Sequence, residues 1–160
     1  MTGRATQDAF ETFKQRLRAE GLRPALADLL ARTDYRFIAI FRFQNGRATA
    51  AAFFDREQPD QLTTDEVPDT ATYCCYVRDS RGVFTTADAL VDARLADHVA
   101  RDVVRSYCGV PLLDAEGELL GTLCHYDLVP RDPAQIDIEL MLQVASTLVQ
   151  GQHVPPYPAR

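Results

Sequence analysis

Residues 107–131, "YCGVPLLDAEGELLGTLCHYDLVPR", set two apolar runs on either side of the polar tetrapeptide Asp114-Ala115-Glu116-Gly117. That tetrapeptide fits a type I turn closing with Gly117 in the left-handed region, a three-residue loop that places Asp114 opposite Glu118. Side chains alternate along the two arms, as they do in strands. An unbroken register running back from the loop then sets Cys108 opposite Cys124, on one face with Val110, Leu112, Leu120 and Thr122. A two-residue turn would instead put the two thiols on opposite faces.

Working outward, Asp132-Pro133-Ala134-Gln135 reads as a helix start, with Asp132 as cap, Pro133 in the first turn and Gln135 able to reach back. Ile136, Leu140, Met141, Val144 and Leu148 give a helix over 132–150 a long apolar stripe, and the Pro-rich tail 151–160 cannot continue it. Upstream, residues 5–33 carry two helices: Ala9, Phe10, Phe13 and Leu17 recur at helical spacing up to Gly21, and Pro24 opens a second, shorter one. "YRFIAIFRF" (35–43) alternates Tyr35, Phe37, Ala39, Phe41 and Phe43 against Arg36, Ile38, Ile40 and Arg42, a strand pattern. Asn45-Gly46 suits the tight turn of a hairpin that returns through 48–55.

The acidic, proline-punctuated stretch 56–69 reads as a surface connection. Asp69 then suits the cap of a helix with Tyr73, Cys74 and Val77 on one face and Arg78 and Asp79 on the other. A short strand, "GVFTTA" (82–87), and a loop or helical turn over 88–102 lead back to the opening hairpin.

Composition limits the roles open to these elements. The 160 residues, 46% of them hydrophobic, suffice for one compact core, so 1–160 is expected to be a single domain. Twenty-three acidic residues against 17 basic ones give a net charge of -6, which argues against a nucleic-acid partner. No apolar run approaches the roughly 18 residues of a membrane span, and the first residues lack a signal-peptide core, so a cytoplasmic location is expected. Four cysteines are then expected to remain reduced.

In order, these elements describe an antiparallel sheet with helices on both sides. Residues 107–131 followed by "DPAQIDIELMLQVASTLV" resemble the second half of a GAF domain, with its aromatic-x-Gly-x-Pro strand, Gly turn, "GTLC", Asp, "PR" and closing helix. "TYCCYVRDSRGVFTTADALVDARLADH" (72–98) is similar to the family's middle segment, with its aspartate bend at Asp88 and Asp92. The resemblance runs from about Arg36 to Val149. It implies an α+β fold: a central antiparallel sheet of five to six strands, the terminal helices on one face, and connecting helices and loops over a small-molecule pocket on the other. It places Tyr73, Cys74, Thr86, Asp88, His98, Cys108, Thr122 and Cys124 around that pocket, with Phe41 and Phe43 as apolar floor or plain core.

The resemblance leaves several activities open. A small-molecule sensor that signals through a partner protein or a homodimer leads. Some GAF domains reduce free methionine sulfoxide, and the four cysteines keep such a thiol enzyme, or a redox sensor, open. A ligand-free dimerisation module follows from the apolar faces of the terminal helices. No output domain of the usual kinds fits within 160 residues. Cys108, Cys124 and His125 lack the paired spacing of a zinc site, and Cys124 and His125 point to opposite faces of a strand. Hydrolase-elbow, phosphate-loop and dinucleotide motifs are missing. The sequence itself names no cofactor.

Overall fold

The computed structural model describes residues 3–159. Two helices, α1 (Arg4–Glu20) and α2 (Leu22–Leu30), are separated at Gly21, whose φ of 97° only glycine adopts readily. The hairpin β1 (Phe37–Gln44) and β2 (Arg47–Asp55) follows, turning through Asn45 and Gly46 at φ 53° and 77°. Positive φ at both central residues matches the turn's twist to that of the strands. Then come β3 (Val67–Pro68), α3 (Cys74–Ser80), β4 (Phe84–Thr86), β5 (Ser106–Leu113), β6 (Leu119–Asp127) and α4 (Ile138–Gln150). The six strands form one antiparallel sheet in the order β3-β2-β1-β6-β5-β4.

Two apolar layers flank the sheet. On one face Phe13 of α1, Leu26 and Leu30 of α2, and Leu140, Val144 and Leu148 of α4 cover Ile38, Ile40, Val110 and Leu123. On the other, Val77 of α3 and Leu95 of the segment 87–105 cover Phe37, Ala39, Phe53 and Tyr107. The terminal helices thus share one face, as expected.

The hairpin of β5 and β6 corrects its own reading. Its turn is as expected: Gly117 stands at φ 79°, and the Asp114 N–H donates to the Glu118 carbonyl at 2.9 Å. Just beyond it, however, Leu113 pairs with Leu119 and Leu112 with Gly121, so Leu120 is an extra residue in the ladder. This bulge moves every later pair by one, setting Cys108 opposite His125 and Gly109 opposite Cys124. Cys108 and Cys124 therefore lie on opposite faces.

Smaller departures have local causes. Tyr35 precedes the strand and packs with Ile38 and Ile40, not with Phe37. Asp69 does not cap α3: a 3-10 turn occupies 69–71, and the Asp69 carboxylate pairs with Arg78 at 2.7 Å. Asp132 caps only the 3-10 turn 133–135, after which Ile136 is extended and Asp137 caps α4 by accepting from Leu140 N at 3.0 Å. Gln135 reaches across to accept the Asp34 N–H at 2.6 Å.

His125, 1% exposed, sits on the helix side with its ring centroid 5.9 Å from that of Tyr35. Burial, with the nearby Arg56 charge, pulls its pKa from the ordinary 6.5 down to about 3. The folded imidazole stays neutral while the unfolded one gains a proton, so its contribution is whole above pH 6.5 and is lost as pH falls toward 3. Stability is expected to fall by about 2 kcal/mol between pH 6.5 and 5 from this group, at about 1.4 kcal/mol per unit. His98, also lowered by burial, adds to the slope. Urea unfolding across this range should show a shallower slope in His125→Leu; an unchanged slope would contradict the assignment.

Candidate functional site

A cavity of about 250 Å³ opens between the sheet and its looped cover. Phe41 from β1, Tyr107 from β5 and Tyr126 from β6 line it from the sheet. Val67, Ala71, Thr72, Tyr73 and Cys74 line it from the approach to α3, Ala100 and Val104 from the segment 87–105, and Thr64 and Asp65 from the acidic connection. Apolar and aromatic surface with a few polar groups is the usual make-up of a small-molecule site.

The cover is tied down at several points. The Asp88 carboxylate takes both arms of the Arg105 guanidinium at 2.9 and 3.0 Å, and the Ala89 N–H donates to the Arg105 carbonyl at 2.7 Å, joining the segment's two ends. The Arg105 hydrogen bonds hold the Asp88 carboxyl below its ordinary value. The Tyr73 hydroxyl donates to the Val104 carbonyl at 2.7 Å. His98 Nδ1 accepts the Ala100 N–H at 3.1 Å, which leaves Nε2 to donate to the Thr72 carbonyl at 3.2 Å. Its ring also lies against Tyr73, with centroids 4.7 Å apart. Asp92 caps the 3-10 turn 93–95 and pairs with Arg94, whose hydrogen bond draws its pKa to about 2.

Beside the cavity, Cys74 is the centre of a buried polar cluster. The Thr122 hydroxyl donates to its sulfur at 3.0 Å and the Tyr107 hydroxyl at 3.2 Å, while the Cys124 sulfur lies 4.0 Å away. Burial alone would raise the Cys74 thiol, but hydrogen bonds from Cys124, Thr122 and Tyr107 outweigh it and hold the pKa below its ordinary value. Burial and the neighbouring Cys74 raise Cys124 instead. Among the described residues, no group of three or more His, Cys, Asp or Glu side chains is arranged to hold a metal ion.

The eight residues singled out in the sequence thus fall into different places. Tyr73 and Cys74 line the cavity, and Thr122 and Cys124 stand directly behind Cys74. Asp88 and His98 secure the cover without lining the cavity, and Thr86 is buried on β4, where it pairs with Tyr107 of β5. Cys108 lies across the sheet, 3.9 Å from the Met141 sulfur, where burial pushes its thiol up to about 12. Tyr107, Tyr126 and Asp65 were missed. Tyr126 shares its strand parity with Thr122 and Cys124 and was legible on that ground; Tyr107 was hidden by the bulge.

An antiparallel sheet with helices on one face and an apolar chamber under a looped cover on the other is the arrangement of the GAF fold, a family whose members are in general small-molecule-binding sensing modules. The chain belongs to the GAF domain family, whose profile matches residues 18–151. It is 35% identical over 96 residues to a cyclic di-GMP phosphodiesterase of Pseudomonas aeruginosa, a match covering 58% of this chain and 16% of that protein. The chain therefore spans a small part of that relative. The GAF domain of an Acinetobacter phosphoenolpyruvate-protein phosphotransferase superposes with a TM-score of 0.70 at 12% identity, covering 93% of each chain. Free methionine-R-sulfoxide reductase from Neisseria meningitidis, solved with its substrate, gives 0.63 at 17% identity over 91% of this chain and 86% of that one. Identities this low speak for the fold alone.

Proposed function

We propose that this domain senses a neutral or cationic compound of one or two rings, bound in the cavity beside Cys74, and passes its occupancy to a partner protein or a second copy from a cytoplasmic location. The observation that carries this reading is the lining itself. Phe41, Tyr73, Tyr107 and Tyr126 supply aromatic surface, and Asp65 is the charged residue among the lining groups. An aromatic lining with one carboxylate suits an aryl amine or a heterocycle, whereas a phosphate ester needs positively charged donors. The net charge of -6 opposes an anion at longer range. Size agrees: a cavity of about 150 Å³ accepts benzene, so 250 Å³ admits a second ring.

A bound ligand would touch Ala100 and Val104 and so bear on the cover, and it would favour one arrangement of that segment over another only by its difference in affinity for the two. The reductase reading has less support, because the lining carries an acid and no basic side chain to meet the carboxylate of free methionine sulfoxide. The dimerisation reading rests on the apolar faces of the terminal helices, and these are already buried within the molecule, α1 against α2 and α4, and α4 against β5.

The test is a charge series on one ring system, read by thermal shift and calorimetry. Tryptamine is expected to bind best, indole next and indole-3-acetate weakest, with cyclic AMP giving no shift. Ala71→Trp, which fills the cavity, should weaken tryptamine at least ten-fold. A preference for indole-3-acetate or cyclic AMP would overturn the ligand class, and binding unaffected by Ala71→Trp would overturn the site.

A further inference from the structure

We propose that Cys74 and Cys124 form an oxidisable pair in the cavity wall, which a small hydroperoxide converts to a disulfide joining α3 to the centre of the sheet. The two sulfurs are in contact at 4.0 Å, although 50 residues separate them in the chain. A disulfide bond is about 2.05 Å long, so closure asks them to approach by about 2 Å.

The two thiols are not equivalent. Cys74 lines the cavity and accepts hydrogen bonds from Thr122 and Tyr107, an environment that stabilises thiolate, the form that attacks peroxides. Cys124 sits behind it as a protonated partner, held in that form by burial. Cys108 is an internal control: its sulfur is on the far face against Met141. The cavity provides the route, since 250 Å³ readily admits hydrogen peroxide.

The chemistry balances with a hydroperoxide as the oxidant. The Cys74 sulfur attacks the peroxide oxygen and the O–O bond breaks. The departing oxygen takes the thiol proton and leaves as water or an alcohol, and Cys74 becomes a sulfenic acid. The Cys124 sulfur then attacks that sulfur, its S–O bond breaks, and water leaves carrying the Cys124 proton. Two thiols are oxidised by two electrons, one peroxide is reduced, and a dithiol reductant reverses the change. In the disulfide the Cys74 sulfur turns from the Thr122 and Tyr107 hydroxyls toward Cys124, reshaping the wall that a ligand would meet.

The test uses the full chain and hydrogen peroxide at a few equivalents. Thiols titrated under denaturant are expected to fall from four to two, with loss of two hydrogens in the intact mass. Cleavage by trypsin and at Glu116 or Glu118 separates Cys108 from Cys124, and the linked peptides should carry Cys74 and Cys124. Cys108→Ser should oxidise like the parent, and Cys124→Ser should stop at a dimedone-reactive Cys74. Unchanged thiols, a link through Cys75 or Cys108, or oxidation of Cys108 as fast as Cys74 would overturn the proposal. The assay needs no ligand, so tryptamine binding that survives such a result leaves the sensing function standing.

Discussion

Gly121→Ala is expected to destabilise the protein by about 3 kcal/mol, at the upper end of the range for overpacking a core. A Cβ at this position would lie 2.2 Å from the Phe41 carbonyl oxygen and 3.3 Å from the Phe41 carbonyl carbon. Both belong to the backbone of the neighbouring strand, so no rotamer change relieves the clash. β1 and β6 would have to separate where Phe41 pairs with Thr122, in the middle of the sheet. The position also directly follows the bulge at Leu120 against β5, where the strand bends. Urea unfolding measures the loss directly. A change under about 0.5 kcal/mol, the size of an ordinary surface substitution, would show that the strands are not in this contact.

Asp127→Ala should have a comparable effect, about 3–4 kcal/mol, for a different reason. Asp127 is 3% exposed and its carboxylate accepts from the Arg36 N–H at 3.0 Å, the Leu128 N–H at 2.7 Å and Arg131 Nε at 2.9 Å. Removing it strands two backbone donors beside a buried position, while the Arg131 side chain, 33% exposed, can turn to water. The first of these bonds holds the entry to β1 against the end of β6. Asp127→Asn keeps one acceptor oxygen and should lose about half as much. Equal losses for the two variants would mean that charge, and not hydrogen bonding, carries the effect.

Much of this architecture was legible because local chemistry and global arrangement agree. Asn45-Gly46 permits one kind of turn, Gly117 closes the last hairpin as its position predicts, and the stripe Leu140, Val144, Leu148 can only face a core. What was not legible depended on the fold as a whole. No propensity marks Leu120 as the extra residue of a ladder. The bulge belongs to a bent sheet whose other irregularity, at Ala51, lies two strands away. That single residue decided which sulfur faces which, so the expected pair of Cys108 with Cys124 gave way to Cys74 with Cys124. Asp88 and His98, expected around the pocket, tie the segment 87–105 to itself and to Thr72 through their carboxylate and ring. Asp65 lay in a stretch read only as connection, where nothing local marks a residue as facing a chamber.

The sheet ends in a two-residue strand containing Pro68 on one side and a three-residue strand on the other. Proline has no N–H to offer, and three residues give an incoming chain too short a rail to grip. At these two outer strands the runaway stacking of copies, peptide group to peptide group, is thereby discouraged.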